Sequence, residues 1–279
     1  MLSRLQSLLG RCLAGDELTL AYLGGSITQG SLASTAETCY AARVTRWFRE
    51  TFPQSLFHSV NGGIGGTNSH YGVSRAVTDV LMDQPDLVII DFSVNDVAGS
   101  EGFDLMPTDP TAFFSETFEG LLRRVLSWPS RPAVLLLCNI QYADGMTMED
   151  AHVRVASHYR IPHVSIRDTI YARLRNGTLS QESITPDGLH PNDLGHALVA
   201  DEITRVLKRM LKACPGDLPR DLPCESSLPD PLTANRFESA RRLTIREISP
   251  ALAGFRADTA QKTGFLDHFT EGWIGSRTG

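Results

Sequence analysis

The sequence is poor in cysteine, has no excess of basic charge and contains no long apolar run. Its five cysteines, Cys12, Cys39, Cys138, Cys214 and Cys224, are scattered with no CxxC pair among them. That spacing gives neither a disulfide framework nor a zinc knuckle, and Cys138, inside an apolar run, reads as a core residue. Lysine and arginine number 26 against 32 acidic residues, a net charge of −6. Neither nucleic acid nor an anionic membrane surface is therefore expected as the main partner. No apolar stretch reaches transmembrane length, and the leucines of residues 1–15 are too broken by Arg4 and Arg11 for a signal-peptide core. A reduced, cytoplasmic protein with no membrane association is expected. Leu2, Leu5, Leu8, Leu9 and Cys12 fit the buried face of a short amphipathic helix. The chain has no internal repeat.

What is present is enough chain for a sizeable core: 279 residues, 42% hydrophobic and 21% charged. Apolar runs at 18–23, 55–60, 86–94, 133–140 and 163–166 read as five strands. Helical spacing marks 36–50, the stretch around Val73 to Leu81, a helix opened by Pro110, 147–159, 168–175 and 193–212. Strands alternating with helices require crossover connections and a parallel sheet covered on both faces. The fold class is α/β over residues 1–213. Pro215, Pro219, Pro223, Pro229 and Pro231 then mark 214–232 as an extended connector. Residues 233–279 carry Phe237, Phe255, Phe265, Phe269 and Trp273 but no long helical pattern. They read as a C-terminal extension of short strands or irregular structure, a partial β domain. Phe265, Phe269 and Trp273 need burial against the main domain or a second chain, which leaves a homo-oligomer open.

Polar clusters fall at the strand ends: Ser26 after Gly24-Gly25, the glycine-rich turn Asn61-Gly62-Gly63-Ile64-Gly65-Gly66-Thr67, and Asn95-Asp96. A fourth, Asp187 to His190, precedes the last helix. The carboxyl ends of parallel strands share one edge, where open α/β sheets bind ligands. That edge would hold a hydroxyl, glycine amides, a side-chain amide and an imidazole beside a carboxylate. Acyl transfer needs this set, because a serine hydroxyl requires a base, the base an orienting acid, and the tetrahedral oxyanion fixed donors.

On these residues the chain resembles the SGNH (GDSL-like) hydrolase superfamily, in a GGSIT-type branch. Gly24-Gly25-Ser26-Ile27-Thr28 is similar to its first motif and the glycine turn to its second. Ser93-Val94-Asn95-Asp96 is similar to the third, and Asp187-Gly188-Leu189-His190-Pro191 to the last. The resemblance implies a flavodoxin-like three-layer α/β/α sandwich with a five-stranded parallel sheet. It also implies Ser26 as nucleophile, His190 as base, Asp187 as its orienting acid, and an oxyanion hole of the Ser26 and Gly66 amides and the Asn95 side chain. Two positions depart from the pattern: Gly25 stands where aspartate is usual, and Ser93 where glycine is usual. With no apolar insertion to roof the site, short acyl esters on large polar molecules such as carbohydrates are the expected substrates. Lipase, thioesterase or acyltransferase chemistry would use the same triad. No cofactor and no metal is expected. The clustering of Asp187, His190, Asp193 and His196, with Asp91 and Asp96 at a strand end, leaves a metal hydrolase as a rival, and a non-catalytic ligand-binding module as another.

Overall fold

The computed structural model describes residues 2–98, 108–213, 218–221, 227–260 and 272–275. Outside these lie the expected loop glycines Gly99 and Gly102 with Pro107, Cys214, Cys224, Pro215, Pro223, and the aromatics Phe265 and Phe269. Two compact units divide the chain, Met1–Ser239 and Ala240–Gly279.

The first unit is built on five parallel strands: β1 (Glu17–Gly24), β2 (Leu56–Gly63), β3 (Leu87–Asp91), β4 (Ala133–Cys138) and β5 (His163–Ser165). Their order is β2-β1-β3-β4-β5. This is the flavodoxin-like arrangement, whose topological switch point lies between β1 and β3. Every residue of β3 and β4 is buried, as a strand covered on both faces requires. Helices α1 (Leu2–Ala14), α3 (Tyr40–Thr51) and α10 (Asp193–Ala213) cover one face. Their Leu5, Leu9, Val44, Phe48, Val199 and Ile203 pack on Leu20, Ile89 and Leu135. Helices α4 (Ser69–Asp79), α6 (Pro110–Leu126) and α7 (Glu149–His158) pack side by side on the other. Caps follow the sequence: Asp109 accepts from the Ala112 amide at 2.9 Å with Pro110 at the first turn of α6, and Asn68 accepts from the Tyr71 amide at the start of α4. The stretch 168–175, expected as one helix, is a π-helical turn at Arg167–Tyr171 followed by α8 (Ala172–Arg175), and a further short helix, α9 (Gln181–Ile184), precedes the loop that leads into α10.

Strand β2 runs on through Gly62 and Gly63, which the sequence reading assigned to the turn. A Cβ on Gly63 would lie 2.2 Å from the backbone nitrogen of Gln29. Gly63 is glycine because the short helix α2 (Ser26–Gln29) packs directly onto the strand, whereas a Cβ on Gly62 would lie 2.6 Å from Val80 Cγ1.

Residues 227–239, which the sequence reading divided between connector and extension, belong to the first unit and are bound to α6. Buried Glu119 accepts from the amides of Leu232 and Thr233, at 2.6 and 2.7 Å, and from the Thr233 and Tyr159 hydroxyls. Arg236 makes a two-pronged contact with Glu116, and Arg123 donates to Glu238 and to the Pro229 carbonyl. Such acids on a buried helix face find their partners more than a hundred residues away, which no local pattern announces. In the second unit, β6 (Phe255–Asp258) and β7 (Gly272–Gly275) form a two-stranded antiparallel sheet, with Ala257 opposite Trp273.

Candidate active site

At the carboxyl edge of the sheet Gly24, Gly63 and Asp91 lie side by side in register, ending β1, β2 and β3. The chain leaves β1 through Gly24 and Gly25 and enters α2 at Ser26, and Gly30, at φ 100°, closes that turn in the left-handed region. A Cβ on Gly24 would lie 2.2 Å from the Thr28 hydroxyl, so the reversal over the strand end needs glycine.

Ser26, His190 and Asp187 form one hydrogen-bonded line. The Ser26 Oγ lies 2.8 Å from His190 Nε2, and His190 Nδ1 lies 2.7 Å from Asp187 Oδ2. The second oxygen of Asp187 accepts from the amides of His190 at 2.7 Å and Leu189 at 2.9 Å, and from the Thr185 hydroxyl at 3.2 Å. Partial burial works against the charge on Asp187, but the His190 ring and the two amides outweigh it and hold the carboxyl at about 2. An ionised Asp187 can only accept, so His190 carries its proton on Nδ1 and turns the lone pair of Nε2 toward Ser26. The loop is fixed from outside as well: Gly188, at φ 75°, accepts from the Ala143 amide. The side chains of His190 and Asp187 are 23% and 45% exposed, so the line opens to solvent.

The glycine turn is pinned to α2. Asn61 donates to the Thr28 carbonyl and accepts from the Gly63 amide, while the Gly65 amide donates to Gln29 Oε1. The amide of Gly66, at φ 70°, donates to no group among the described residues. This separates Gly66 from Gly63 and Gly65, a distinction absent from the sequence. Asn95 opens the short helix α5 (Asn95–Ala98), and its side chain lies over Gly25: a Cβ there would meet Asn95 Oδ1 at 2.2 Å and Nδ2 at 3.3 Å. The departure at Gly25 thus has a physical consequence, because any larger residue on this backbone displaces Asn95. Ser93, the other departure, is buried and donates to the Asn139 carbonyl at 2.8 Å, joining the segments that follow β3 and β4.

Gly25→Ala is accordingly expected to displace Asn95 and, with Asn95 in the oxyanion role that the resemblance implies, to lower kcat by about 10²–10³-fold with KM nearly unchanged. In an Asn95→Ala background the same substitution should cost little more, since the colliding group is gone. A double-mutant cycle on ester hydrolysis checks this, and additive losses would separate Gly25 from Asn95.

Asp91, Asp96, Asp193 and His196, which the sequence offered as metal ligands, have other partners. Asp96 is fully buried; it accepts from the Ser69 amide at 2.8 Å and pairs with His152 Nε2 at 2.8 Å, whose ring stacks on Phe118. Asp193 binds the Ser34 hydroxyl and amide and the Thr38 hydroxyl, which hold it at about 2. His196 accepts from the Tyr40 amide through Nδ1 and donates through Nε2 to the Ser31 carbonyl. It is therefore neutral, and burial lowers its pKa. Among the described residues no three His, Cys, Asp or Glu side chains are grouped to hold a metal ion. Thr28, though inside the first motif, has no role assigned from sequence, nor do His152, Tyr40 and Arg75; a charged residue between Val73 and Ala76 on an apolar helix face is the one signal for the last.

Asp91 lies under the Ser26 turn. Burial raises it to about 6, against hydrogen bonds from Asn139 and Thr28 that pull the other way. In the unfolded chain the group titrates at about 3.9. The folded pKa is the higher one, so its contribution to stability is fully present below about pH 4 and is lost as pH rises through about 6. Asp91→Asn keeps an acceptor for Asn139 and Thr28 and removes the buried charge. It is expected to stabilise the protein by roughly 2–3 kcal/mol at about pH 7.5, a gain that disappears near pH 4. Urea denaturation at the two pH values checks the sign.

The GDSL-like Lipase/Acylhydrolase family model matches residues 22–198. Among solved structures, a two-domain esterase active on acetylated mannans, co-crystallised with mannopentaose, is 42% identical with a TM-score of 0.85. The match covers 99% of this chain and 69% of that one. A second structure of a two-domain esterase active on acetylated mannans gives 42% identity and a TM-score of 0.87, covering 100% and 71% of the two chains. An acetylxylan esterase from Geobacillus stearothermophilus, 21% identical over 68% of this chain and 94% of its own, shares the fold with a TM-score of 0.57. No curated protein matches the chain. With a family match running from β1 into α10 and 42% identity over nearly its whole length to an esterase of the same fold, the chain belongs to the GDSL-like lipase/acylhydrolase family and is a carboxylic ester hydrolase.

Proposed function

We propose that this chain is a serine esterase that removes acetyl and other short acyl groups from carbohydrates. Ser26 is the nucleophile, His190 the base, Asp187 its orienting acid, and the Ser26 amide, Gly66 amide and Asn95 side chain form the oxyanion hole. The observation that carries the reading is the continuous line from Ser26 Oγ through His190 to Asp187, with each contact under 3 Å. The mannan-active relatives support the substrate class, as does the exposure of the line, which suits a bulky polar alcohol better than a buried acyl chain.

In this reading Ser26 Oγ attacks the acyl carbonyl carbon while its proton passes to His190 Nε2. The carbonyl π pair becomes the oxyanion, bound by the three donors; among the described residues the Gly66 amide and the Asn95 side-chain amide have no other acceptor. Collapse expels the sugar alkoxide, which takes the proton from Nε2 and leaves acyl-Ser26. Water, deprotonated by the same nitrogen, repeats the sequence and releases the carboxylic acid.

Acetate release from acetylated manno-oligosaccharides, beside p-nitrophenyl esters from acetyl to dodecanoyl, tests the proposal. Turnover on the acetylated oligosaccharides and a fall in kcat/KM of about tenfold or more from acetyl to dodecanoyl are expected. A preference for dodecanoyl esters would make the enzyme a lipase, and acyl transfer to an acceptor without hydrolysis an acyltransferase; either result overturns the proposal.

A further inference from the structure

We infer that Arg75 is a positioning residue for the oxyanion donors, a role that rests on the triad reading above. Arg75 lies on the buried face of α4 and is fully buried. One nitrogen of its guanidinium, Nη1, donates to the Gly62 carbonyl at 2.6 Å and to Asp79 at 2.8 Å. The other, Nη2, donates to the Gly24 carbonyl at 2.9 Å and reaches the Thr67 hydroxyl at 3.4 Å. Gly24 leads into the Gly25–Ser26 turn, and Thr67 follows Gly66. A single planar group therefore grips the ends of β1 and β2 and the two turns that carry the backbone donors.

The position is over-determined. Thr67 closes its own turn by donating to the Ile64 carbonyl through both hydroxyl and amide, so the guanidinium holds a turn that is already rigid. The rings of Tyr71 and Phe92 lie 5.8 and 6.0 Å from the guanidinium carbon. Phe92 in turn fills the space that Gly72 leaves, where a Cβ would come within 2.6 Å of the ring. A buried cation is tolerated only when paired and hydrogen-bonded. Asp79 supplies the charge, one helical turn along α4, and the two carbonyls supply the geometry. A helix–helix or helix–sheet packing role would need none of these carbonyls. Their choice, one from each strand end at the proposed oxyanion hole, is what points to positioning. Lysine cannot replace the fork: a single ammonium reaches Asp79 and one carbonyl but cannot hold both strand ends in one plane.

Arg75→Lys is the test, read on the full chain with a short-chain ester. A fall in kcat of about 10²-fold is expected, the scale of a displacement near 1 Å at a reacting centre, with KM within about threefold of the parent. Affinity for a boronic acid that mimics the tetrahedral intermediate should fall in step with kcat/KM, whereas affinity for the product acetate should not change. A folded Arg75→Lys protein with parental kcat and boronate affinity overturns the inference. If Arg75→Lys does not fold, Thr67→Val and Thr67→Ser decide: the valine variant should lose kcat at constant KM and the serine variant restore it, and equal kcat in both overturns the inference. The two readings fail separately. Full activity in Arg75→Lys beside an inert Ser26→Ala removes only the positioning role, whereas an active Ser26→Ala protein removes the triad reading and this role with it.

Discussion

Ser26→Ala is expected to lower kcat for ester hydrolysis on the order of 10⁶-fold, as loss of the nucleophile does in enzymes with this triad, and to leave the melting temperature unchanged. The Ser26 hydroxyl sits at the first residue of a four-residue helix and its one hydrogen-bond partner among the described residues is His190. Removing it therefore vacates little packed volume, and the backbone amide proposed as an oxyanion donor stays. What disappears is the covalent route. Residual hydrolysis should remain above the uncatalysed rate, carried by binding and the oxyanion donors, and labelling by a serine-directed phosphonate should be lost. Acetate release, circular dichroism and mass spectrometry of the phosphonate-treated protein check the three parts. A folded Ser26→Ala enzyme turning over near the parental rate would falsify the assignment of the nucleophile.

The fold was legible because its signals are local. Five apolar runs separated by helix-period segments can only be a covered parallel sheet, and the structure has that sheet, with flavodoxin-like strand order. The four polar clusters were legible for the same reason, since each falls where a strand or loop ends and strand ends share an edge. Which glycine amide is unoccupied was not legible, because it depends on Gln29 reaching across to Gly65 and Asn61 folding back onto Gly63. Those are decisions of side-chain geometry at positions 29 and 61 that no spacing expresses.

Beneath the site lies a layer of buried acidic, basic and imidazole side chains whose partners no local pattern announces. Arg75 ties the first motif to the second, and Asp96, through the Ser69 amide and His152, ties the third to the helix that follows the second. Arg75 and Asp96 thus link the first three motifs through buried side chains, and the last motif joins the first through His190 and Ser26. In sequence Asp96 reads as a possible metal ligand because nothing local marks His152, fifty-six residues away. The segment 227–239 escaped for a like reason: its prolines describe its backbone, while Glu116 and Glu119, which hold it, lie on α6.

Asp187→Asn should be more damaging than Asp187→Ala, with a loss in kcat of about 10⁴-fold for asparagine. The reason lies in how the two carboxylate oxygens are used. Oδ1 accepts from the Leu189 and His190 amides and the Thr185 hydroxyl, three donors that require an acceptor oxygen in that place. Asparagine must keep its carbonyl oxygen there, which turns its NH2 group toward His190 Nδ1, where Oδ2 now lies at 2.7 Å. An amide N–H facing Nδ1 obliges that nitrogen to accept, so the proton moves to Nε2. The ring then points a donor at Ser26 and cannot take its proton. Alanine leaves a gap beside a side chain that is 45% exposed; water enters it, either tautomer is available, and the competent one persists in part. Alanine is thus expected to cost about 10²-fold, within the usual worth of general-base assistance. Steady-state kinetics of the two variants on one short-chain ester, with proton NMR of the His190 ring, check both the order and its cause. If asparagine proves the milder substitution, Asp187 does not set the tautomer of His190 and its role in the line is only to neutralise the imidazolium.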